Sequence, residues 1–390
     1  MAPPDFYPDR QHPFATRLFQ SLAFTLAWWK FQLRLRVSWT DVAKLQQLRG
    51  SRVILLPNHP TFNDPVVLFL LSAQAGEIFY YLSAYANFKG LTGKLLQRLG
   101  AYSIKRGVGD RTSIAYTLNL LASKPDCRLV IFAEGGCSFQ NDTVMAFRTG
   151  AVQLTMQAMA RIVKQTGEIP NIYLLPVSLK YRYTRPMNSV IENSLTALEK
   201  ALGITPEILD FYPRLRAIGE CVAAQFEREY IGHPLAGSLN ERIEEIRAEM
   251  LITCEREIGL DPVPSLPLRE RIYRVQAIVE EQEEPSPELQ KIYQSTVRLL
   301  NFDALYDGYV AAAPTAERFL DTLTRLEREV FNIDKPEPKG DRLAYIKLGD
   351  PVNLADYYEA YRGDRTATVE ELTAQMQQIV QANLDILAGG

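Results

Sequence analysis

The chain has 390 residues, 47 % hydrophobic and 23 % charged, and its 43 Lys and Arg against 46 Asp and Glu leave a net charge of −3. This profile excludes a disordered chain, and the near-neutral balance excludes the basic excess usual in nucleic-acid-binding proteins. The length suits two or three folding units; the four cysteines (Cys127, Cys137, Cys221, Cys254) form no CxxC pair or zinc spacing and read as reduced intracellular thiols.

Met1–Arg10 holds three prolines and two aspartates, so it does not read as a secretory signal. The apolar run Leu18–Trp29 is too short for a bilayer span, which needs about 20 residues. The first fifty residues carry seven Lys and Arg against three Asp, together with all three tryptophans. Across Phe14–Arg36 an apolar stretch leads into Lys30, Arg34 and Arg36 set between Phe31, Leu33 and Leu35. Rings at headgroup depth beside cations suit a helix lying in a membrane interface; an amphipathic helix docked on the core has the same composition.

From Ser51 short apolar runs alternate with helical stretches. Strands are predicted at Val53–Leu56, Ile78–Ser83, Ala101–Lys105, Arg128–Ala133 and Ile172–Leu175. Helices are predicted at Pro65–Gln74, with Asp64 as its cap, and at Lys89–Arg98, Thr112–Ser123 and Ala151–Gln165. This alternation predicts an α/β fold with a mainly parallel sheet flanked by helices. Ser238–Glu257, Arg269–Glu283, Pro287–Val310 and Thr315–Val330 are charged and helix-patterned, and read as a helical insert. Leu343–Leu348 reads as a returning strand, although Arg214–Gly219 could take that place, and Val369–Leu387 as a last helix. The boundaries that follow are 1–45 for an N-terminal helical segment, 46–185 for the α/β core, 186–340 for the insert and 341–390 for the return.

Of three histidines, His59 alone follows a buried strand, in Asn58-His59-Pro60-Thr61-Phe62-Asn63-Asp64. A turn could bring Asp64 to one ring nitrogen, fix the tautomer and leave the other as a general base; a structural His–Asp pair is the plainer reading. Phe132-Ala133-Glu134-Gly135-Gly136-Cys137-Ser138 sets a carboxylate beside flexible backbone, suited to gripping a polar substrate or equally to a solvated turn. Lys105 and Arg106 close another strand and could bind phosphate or simply face solvent. Leu175-Pro176-Val177 ends the next strand, with Lys180 and Arg182 beyond.

Four such features at four successive strand ends resemble the four-block pattern of the glycerolipid acyltransferases, the lysophosphatidic acid acyltransferases and their relatives. NHPTFND resembles the family's NHxxxxD block, GAYSIKR the second, FAEGGCS the third (usually FPEGTRS) and LLPV the fourth. Phe147–Ala151 is similar to the basic segment that follows the third block. The resemblance spans roughly Trp39–Arg182. It departs at Ala133, Gly136 and Cys137, which stand where the family has proline, threonine and a phosphate-associated arginine.

The resemblance implies an acyltransferase in which His59 is the general base and Asp64 orients it. Arg106, Glu134, Gly135, Gly136, Arg148 and Pro176 are then the substrate-binding residues. It implies direct attack of an acceptor hydroxyl on the thioester of acyl-CoA or acyl carrier protein, without a covalent acyl-enzyme, a cofactor or a metal, and backbone amides near Asn58 or Gly135 as oxyanion donors. A G-x-S-x-G elbow is absent from the sequence. The implied partners are a lipid acceptor, most simply 1-acylglycerol 3-phosphate, and a membrane surface, with the protein on its cytoplasmic face; the interfacial reading of the N-terminal segment gains weight accordingly. Rival readings are a non-catalytic lipid-binding or scaffold protein with a decayed third block, and a hydrolase using the same base on water.

Overall fold

The computed structural model describes residues 4–282, 284–302 and 305–389. The chain divides into two compact units. An α/β unit comprises Pro4–Lys105, Asp110–Thr184 and the residues from Asp341 onward; a helical unit comprises Arg185–Gly340 together with Arg106–Gly109.

In chain order the α/β unit contains α1 (Pro13–Phe31), β1 (Leu33–Val37), α2 (Trp39–Gln47), β2 (Arg52–Pro57), α3 (Asp64–Ala75), β3 (Tyr80–Ala84), α4 (Gly90–Arg98), β4 (Ala101–Ile104), α5 (Arg111–Ser123), β5 (Arg128–Val130), α6 (Gly150–Thr166) and β6 (Ile172–Tyr183). The helical unit supplies α7 (Asn188–Leu202), α8 (Phe211–Phe226), α9 (Leu239–Glu257), α10 (Leu268–Glu280), α11 (Pro287–Phe302), α12 (Tyr309–Ala312) and α13 (Ala316–Val330). The α/β unit then resumes with β7 (Arg342–Leu348), β8 (Val352–Asn353), α14 (Tyr358–Gly363) and α15 (Arg365–Gly389).

The sheet order is β1-β7-β6-β2-β5-β3-β4, with β8 paired to β6. The strands from β6 across to β4 are parallel; β7 runs antiparallel to β6, and β1 parallel to β7. This is the predicted α/β class with a mostly parallel sheet. Strand β2 (RVILLP) is apolar almost throughout because helices cover both its faces. Ile54 and Leu56 pack with Met156 and Met159 of α6 and with Leu372 and Met376 of α15. Val53 and Leu55 face Val42 and Leu45 of α2 and Val67, Leu68 and Leu71 of α3.

Two strands end elsewhere than predicted. β5 stops at Val130, three residues short of Ala133, and the chain turns there, with the Gly135 amide donating to the Phe132 carbonyl at 3.0 Å. β6 continues eight residues past Leu175, to Tyr183. β7 covers one edge of this extension. On the other edge two asparagine side chains stand in for a strand. Asn58 bonds both the N–H (2.7 Å) and the carbonyl (3.0 Å) of Leu179, and Asn141 bonds both groups of Tyr181 at 2.7 Å. The buried main-chain groups of β6 are thereby satisfied where β2 has already ended.

The N-terminal segment belongs to the α/β unit instead of standing apart at 1–45. Within Phe14–Arg36 the helix, Pro13–Phe31, stops short; Arg34 and Arg36 lie in β1, where Arg34 pairs with Asp341 at 3.3 Å. Helix α1 is amphipathic in an inverted sense. Its buried positions are Thr16, Gln20, Ala23 and Ala27, and Gln20 Nε2 donates to Ser72 Oγ (2.9 Å) and to the Glu77 carbonyl (2.8 Å). Its exposed side carries Phe14, Leu18, Leu22, Leu26 and Trp29, spaced three or four apart and so on one face, with Trp28 and Phe24 beside them. Phe14 and Trp29 are 75 % and 73 % exposed. Among the described residues no helix is long and apolar enough to cross a membrane.

In the helical unit Arg214–Gly219 lies inside α8, so β7 is the late strand. The Arg269–Glu283 stretch is helical to Glu280, and Glu283 is outside the described residues. Pro287–Val310 holds two helices, α11 and α12, with 303 and 304 outside the described residues. Ile218, Phe226, Ile246, Met250, Ile272, Leu299, Phe302 and Leu323 are buried here. Three buried glutamates are tied to arginines: Glu199 to Arg214, Glu227 to Arg242 and Glu255 to Arg271.

Candidate active site

The segment between β2 and α3 turns on Asp64. Predicted as a helix cap, Asp64 lies one residue inside the helix; Asn63 takes the cap position without a side-chain bond, and the Asp64 carboxylate turns back on the preceding loop. It accepts from His59 Nδ1 (2.6 Å), the Thr61 amide (2.9 Å), Thr61 Oγ1 (2.8 Å) and the Tyr181 hydroxyl. Asp64 is fully buried, whereas the imidazole keeps 14 % exposure. With Nδ1 donating to a carboxylate, Nε2 is the nitrogen left for chemistry.

The second loop, 132–139, is stitched to both main-chain groups of His59. The His59 N–H donates to Glu134 Oε1 at 2.9 Å, and the Ser138 N–H donates to the His59 carbonyl at 2.8 Å. The Phe132 ring stacks on the imidazole with centroids 4.2 Å apart. Between these anchors Cys137 Sγ lies 3.4 Å from His59 Nε2. Phe139, two residues on, holds a left-handed φ of 50°, an uncommon conformation for an aromatic residue.

Burial works against protonation of His59, but the Cys137 sulfur and the Asp64 carboxylate outweigh it and hold the imidazole well above its ordinary value. Burial, with the Asp64 charge added, pushes the Tyr181 phenol well above its usual range, so it stays a neutral donor.

Among the predicted substrate residues, Glu134, Gly135, Gly136 and Arg148 come together with the His59–Asp64 pair. Arg148 donates its amide to the Ala133 carbonyl at 2.9 Å, and its side chain crosses Gly135 closely. Gly135 has φ +75°, and a Cβ there would lie 2.7 Å from Arg148 Nε, so glycine is required on both counts. Glu134 is buried with one oxygen on the His59 main chain, where a glutamate gripping substrate was expected. Arg106 belongs to the helical unit, its guanidinium 4.1 Å from the centre of the Tyr273 ring. Pro176 serves packing, since its ring borders Gly349 and its carbonyl accepts the Gly349 amide at 2.9 Å. The expected amide donors are already engaged: Asn58 N–H with the Val177 carbonyl and Gly135 N–H with that of Phe132.

Sequence reasoning missed Tyr181, Thr61 and the place of Cys137. Tyr181 shares a strand face with Val177 and Leu179, a period-2 signal that points to Asp64 only once β6 is extended past Leu175. Among the described residues no three His, Cys, Asp or Glu side chains converge as a metal-ligand set.

Comparison with known proteins gives one family match: residues 39–180 fit the Acyltransferase family model, less than half of the chain. No curated protein matches the chain significantly. The matched region holds β2 to β5, most of β6, the His59–Asp64 turn and the Glu134–Cys137 loop, so residues 39–180 are an acyltransferase domain like that of the glycerolipid acyltransferases, and the protein is an acyltransferase enzyme.

Proposed function

We propose that the protein moves a fatty acyl group from acyl-CoA or acyl carrier protein to a hydroxyl of a glycerolipid, 1-acylglycerol 3-phosphate being the favoured acceptor. The observation that carries this reading is the 2.6 Å His59–Asp64 bond, which fixes the tautomer and directs Nε2 outward as the base for the acceptor hydroxyl. Thr61 and Tyr181 saturate Asp64, so the carboxylate stays aimed at the ring. Glu134 is a positioning residue acting through the His59 main chain. With cysteine at the family's arginine position, Arg148, which crosses the Gly135 loop, is the cation that meets the acceptor phosphate, by its fork geometry.

The acceptor and product are lipids, and the exposed stripe of α1 supports work at a membrane surface, on the cytoplasmic side. Apolar side chains face out while Gln20 and Thr16 face in, the reverse of a helix docked for stability alone. Because β1 is part of the sheet, deleting the first 37 residues would damage the fold, so point substitutions are the proper test. Phe14→Ser with Trp29→Ser is expected to lower binding to phosphatidylglycerol-containing vesicles at least tenfold in a flotation assay; unchanged binding refutes the surface reading.

The direct test of function is transfer by the purified protein from labelled palmitoyl-CoA or palmitoyl–acyl carrier protein. The acceptors offered are lysophosphatidate, glycerol 3-phosphate and phosphate-free lipid alcohols, with His59→Ala alongside. Transfer to lysophosphatidate that needs His59 is expected. Preference for a phosphate-free alcohol would overturn the acceptor, and release of free fatty acid alone would make the enzyme a hydrolase.

A further inference from the structure

We propose that the C-terminal helix completes the acceptor site: Gln377 and Gln381 of α15 hold the loop that ends on Arg148, and so set how tightly the acceptor's phosphate is bound. The inference rests on the reading of Arg148 given above. It names two positioning residues that lie beyond the matched residues 39–180.

Residues 131–149, between β5 and α6, form neither strand nor helix. A coil longer than about 12–15 residues is uncommon in a compact unit, and its buried main-chain groups need partners other than a ladder or a helix. The first half of this coil is bonded to His59. The second half finds its partners on α15, 230 residues further along the chain. The Val144 N–H donates to Gln381 Oε1 at 2.9 Å, and the Phe147 N–H donates to Gln377 Oε1 at 2.9 Å. Gln381 Nε2 donates to the Asp142 carbonyl at 3.1 Å and to Asp385 Oδ1 at 2.9 Å. The two glutamines are four residues apart, so they share one face of the helix. Val144 and Phe147 belong to the same buried cluster as Leu372, Met376 and Val380 of α15. The helix therefore receives both the side chains and the main chain of this half of the loop.

Phe147 is the residue before Arg148, and the Arg148 N–H donates to the Ala133 carbonyl at 2.9 Å. Two successive amides are thus fixed, one to α15 and one to the catalytic loop. From that point the Arg148 side chain crosses Gly135. A guanidinium grips a phosphate through two parallel bonds of narrow geometry, so a small displacement of its backbone loses one of them. The phosphate is remote from the reacting hydroxyl. Its binding is alike in the ground state and the transition state, and a loss there raises KM without lowering kcat. The His59–Asp64 pair is held by Thr61, Tyr181, Glu134 and Ser138, so loosening the second half of the loop leaves the base in place.

The test uses the full-length protein, saturating palmitoyl-CoA or palmitoyl–acyl carrier protein, and lysophosphatidate varied. Gln377→Leu is expected to raise the lysophosphatidate KM about tenfold, with kcat and the donor's KM within about twofold of wild type. Gln377→Glu should keep the wild-type KM, because a carboxylate oxygen still accepts the Phe147 N–H. Gln381→Glu should not, because it loses the donor to Asp142 and sets a second carboxylate beside Asp385. Arg148→Ala should raise the same KM by about tenfold or more, and adding Gln377→Leu to it should change the KM no further. Thermal unfolding curves establish that each variant is folded. A Gln377→Leu effect that falls equally on kcat or on the donor's KM, or that persists in full beside Arg148→Ala, would overturn the inference. If Arg148→Ala raises the KM and Gln377→Leu does not, the inference falls and the reading of Arg148 stands. If Arg148→Ala leaves the KM unchanged, that reading falls and takes the inference with it.

Discussion

The two units use buried charge in opposite ways. In the helical unit charges are closed off in pairs: Arg214 meets Glu199 through Nε and Nη2 at 2.7 and 2.8 Å and Glu192 through Nη1 at 2.7 Å, and Arg271 meets Glu255 at 2.9 and 2.6 Å. Such pairs hold helices in register and present nothing reactive. In the α/β unit the polar groups converge instead. Four donors meet on Asp64, one of them the His59 imidazole, and the Cys137 sulfur lies over that ring, 3.4 Å from Nε2 and 3.8 Å from Nδ1. A network that ends within itself is structural; one that ends on a partly exposed imidazole can do chemistry.

If that contrast is right, replacements in the α/β network cost rate, and replacements in the helical network cost stability. The largest effect is expected from His59→Ala, a loss of about 10²–10⁴-fold in acyl transfer with little change in the melting temperature. Asp64→Asn should lose about 10²-fold, because the amide no longer holds the proton on Nδ1. Tyr181→Phe removes one of four donors to a buried carboxylate and should cost about tenfold in kcat, with KM held. In the helical unit, Arg214→Met leaves Glu199 buried and unpaired and should cost about 3–5 kcal/mol in urea unfolding. Equal loss of rate per folded molecule in Arg214→Met would break the comparison.

A pH series sharpens it. The folded protein holds His59 above the ordinary imidazole value of 6.5, so folding favours the protonated ring. That contribution is fully present below 6.5 and fades as pH rises through the higher folded value. The stability gap between wild type and His59→Gln should therefore narrow on the alkaline side, measured by urea unfolding at stepped pH. The smallest effect is at Gly349, where a Cβ would lie 2.6 Å from Ile379 and 2.7 Å from Pro176. Gly349→Ala should cost about 1–3 kcal/mol by overpacking.

His59 and Asp64 were legible in the sequence because one strand, one turn and one helix start carry both, and local chemistry sets their meeting. The alternation of apolar runs likewise made the parallel sheet legible. Tyr181 was not, because it reaches the site only along a strand whose length depends on side chains such as Asn141 that are distant in sequence. Cys137 was visible only as a departure from a pattern, since nothing in the sequence says that its loop is bonded to both sides of His59. Arg106 misled because a cation at a strand end has no fixed partner; here it found an aromatic ring in the helical unit. The apolar stripe of α1 was legible, but which face turns inward was not, because periodicity is blind to whether a helix buries its oily or its polar side.

The placement of β7 bears on how the protein is made. β6 and β1 both depend on β7, which leaves the ribosome only after the whole helical unit. Until then β6 has a bare edge, and β1 has no strand beside it in the sheet. The helical unit closes only when α13 has followed to pack on α7, so the last event in the sheet is the return of one seven-residue strand. Ribosome-bound chains truncated before Arg342 should accordingly be held by chaperones, and those extending past Gly389 released.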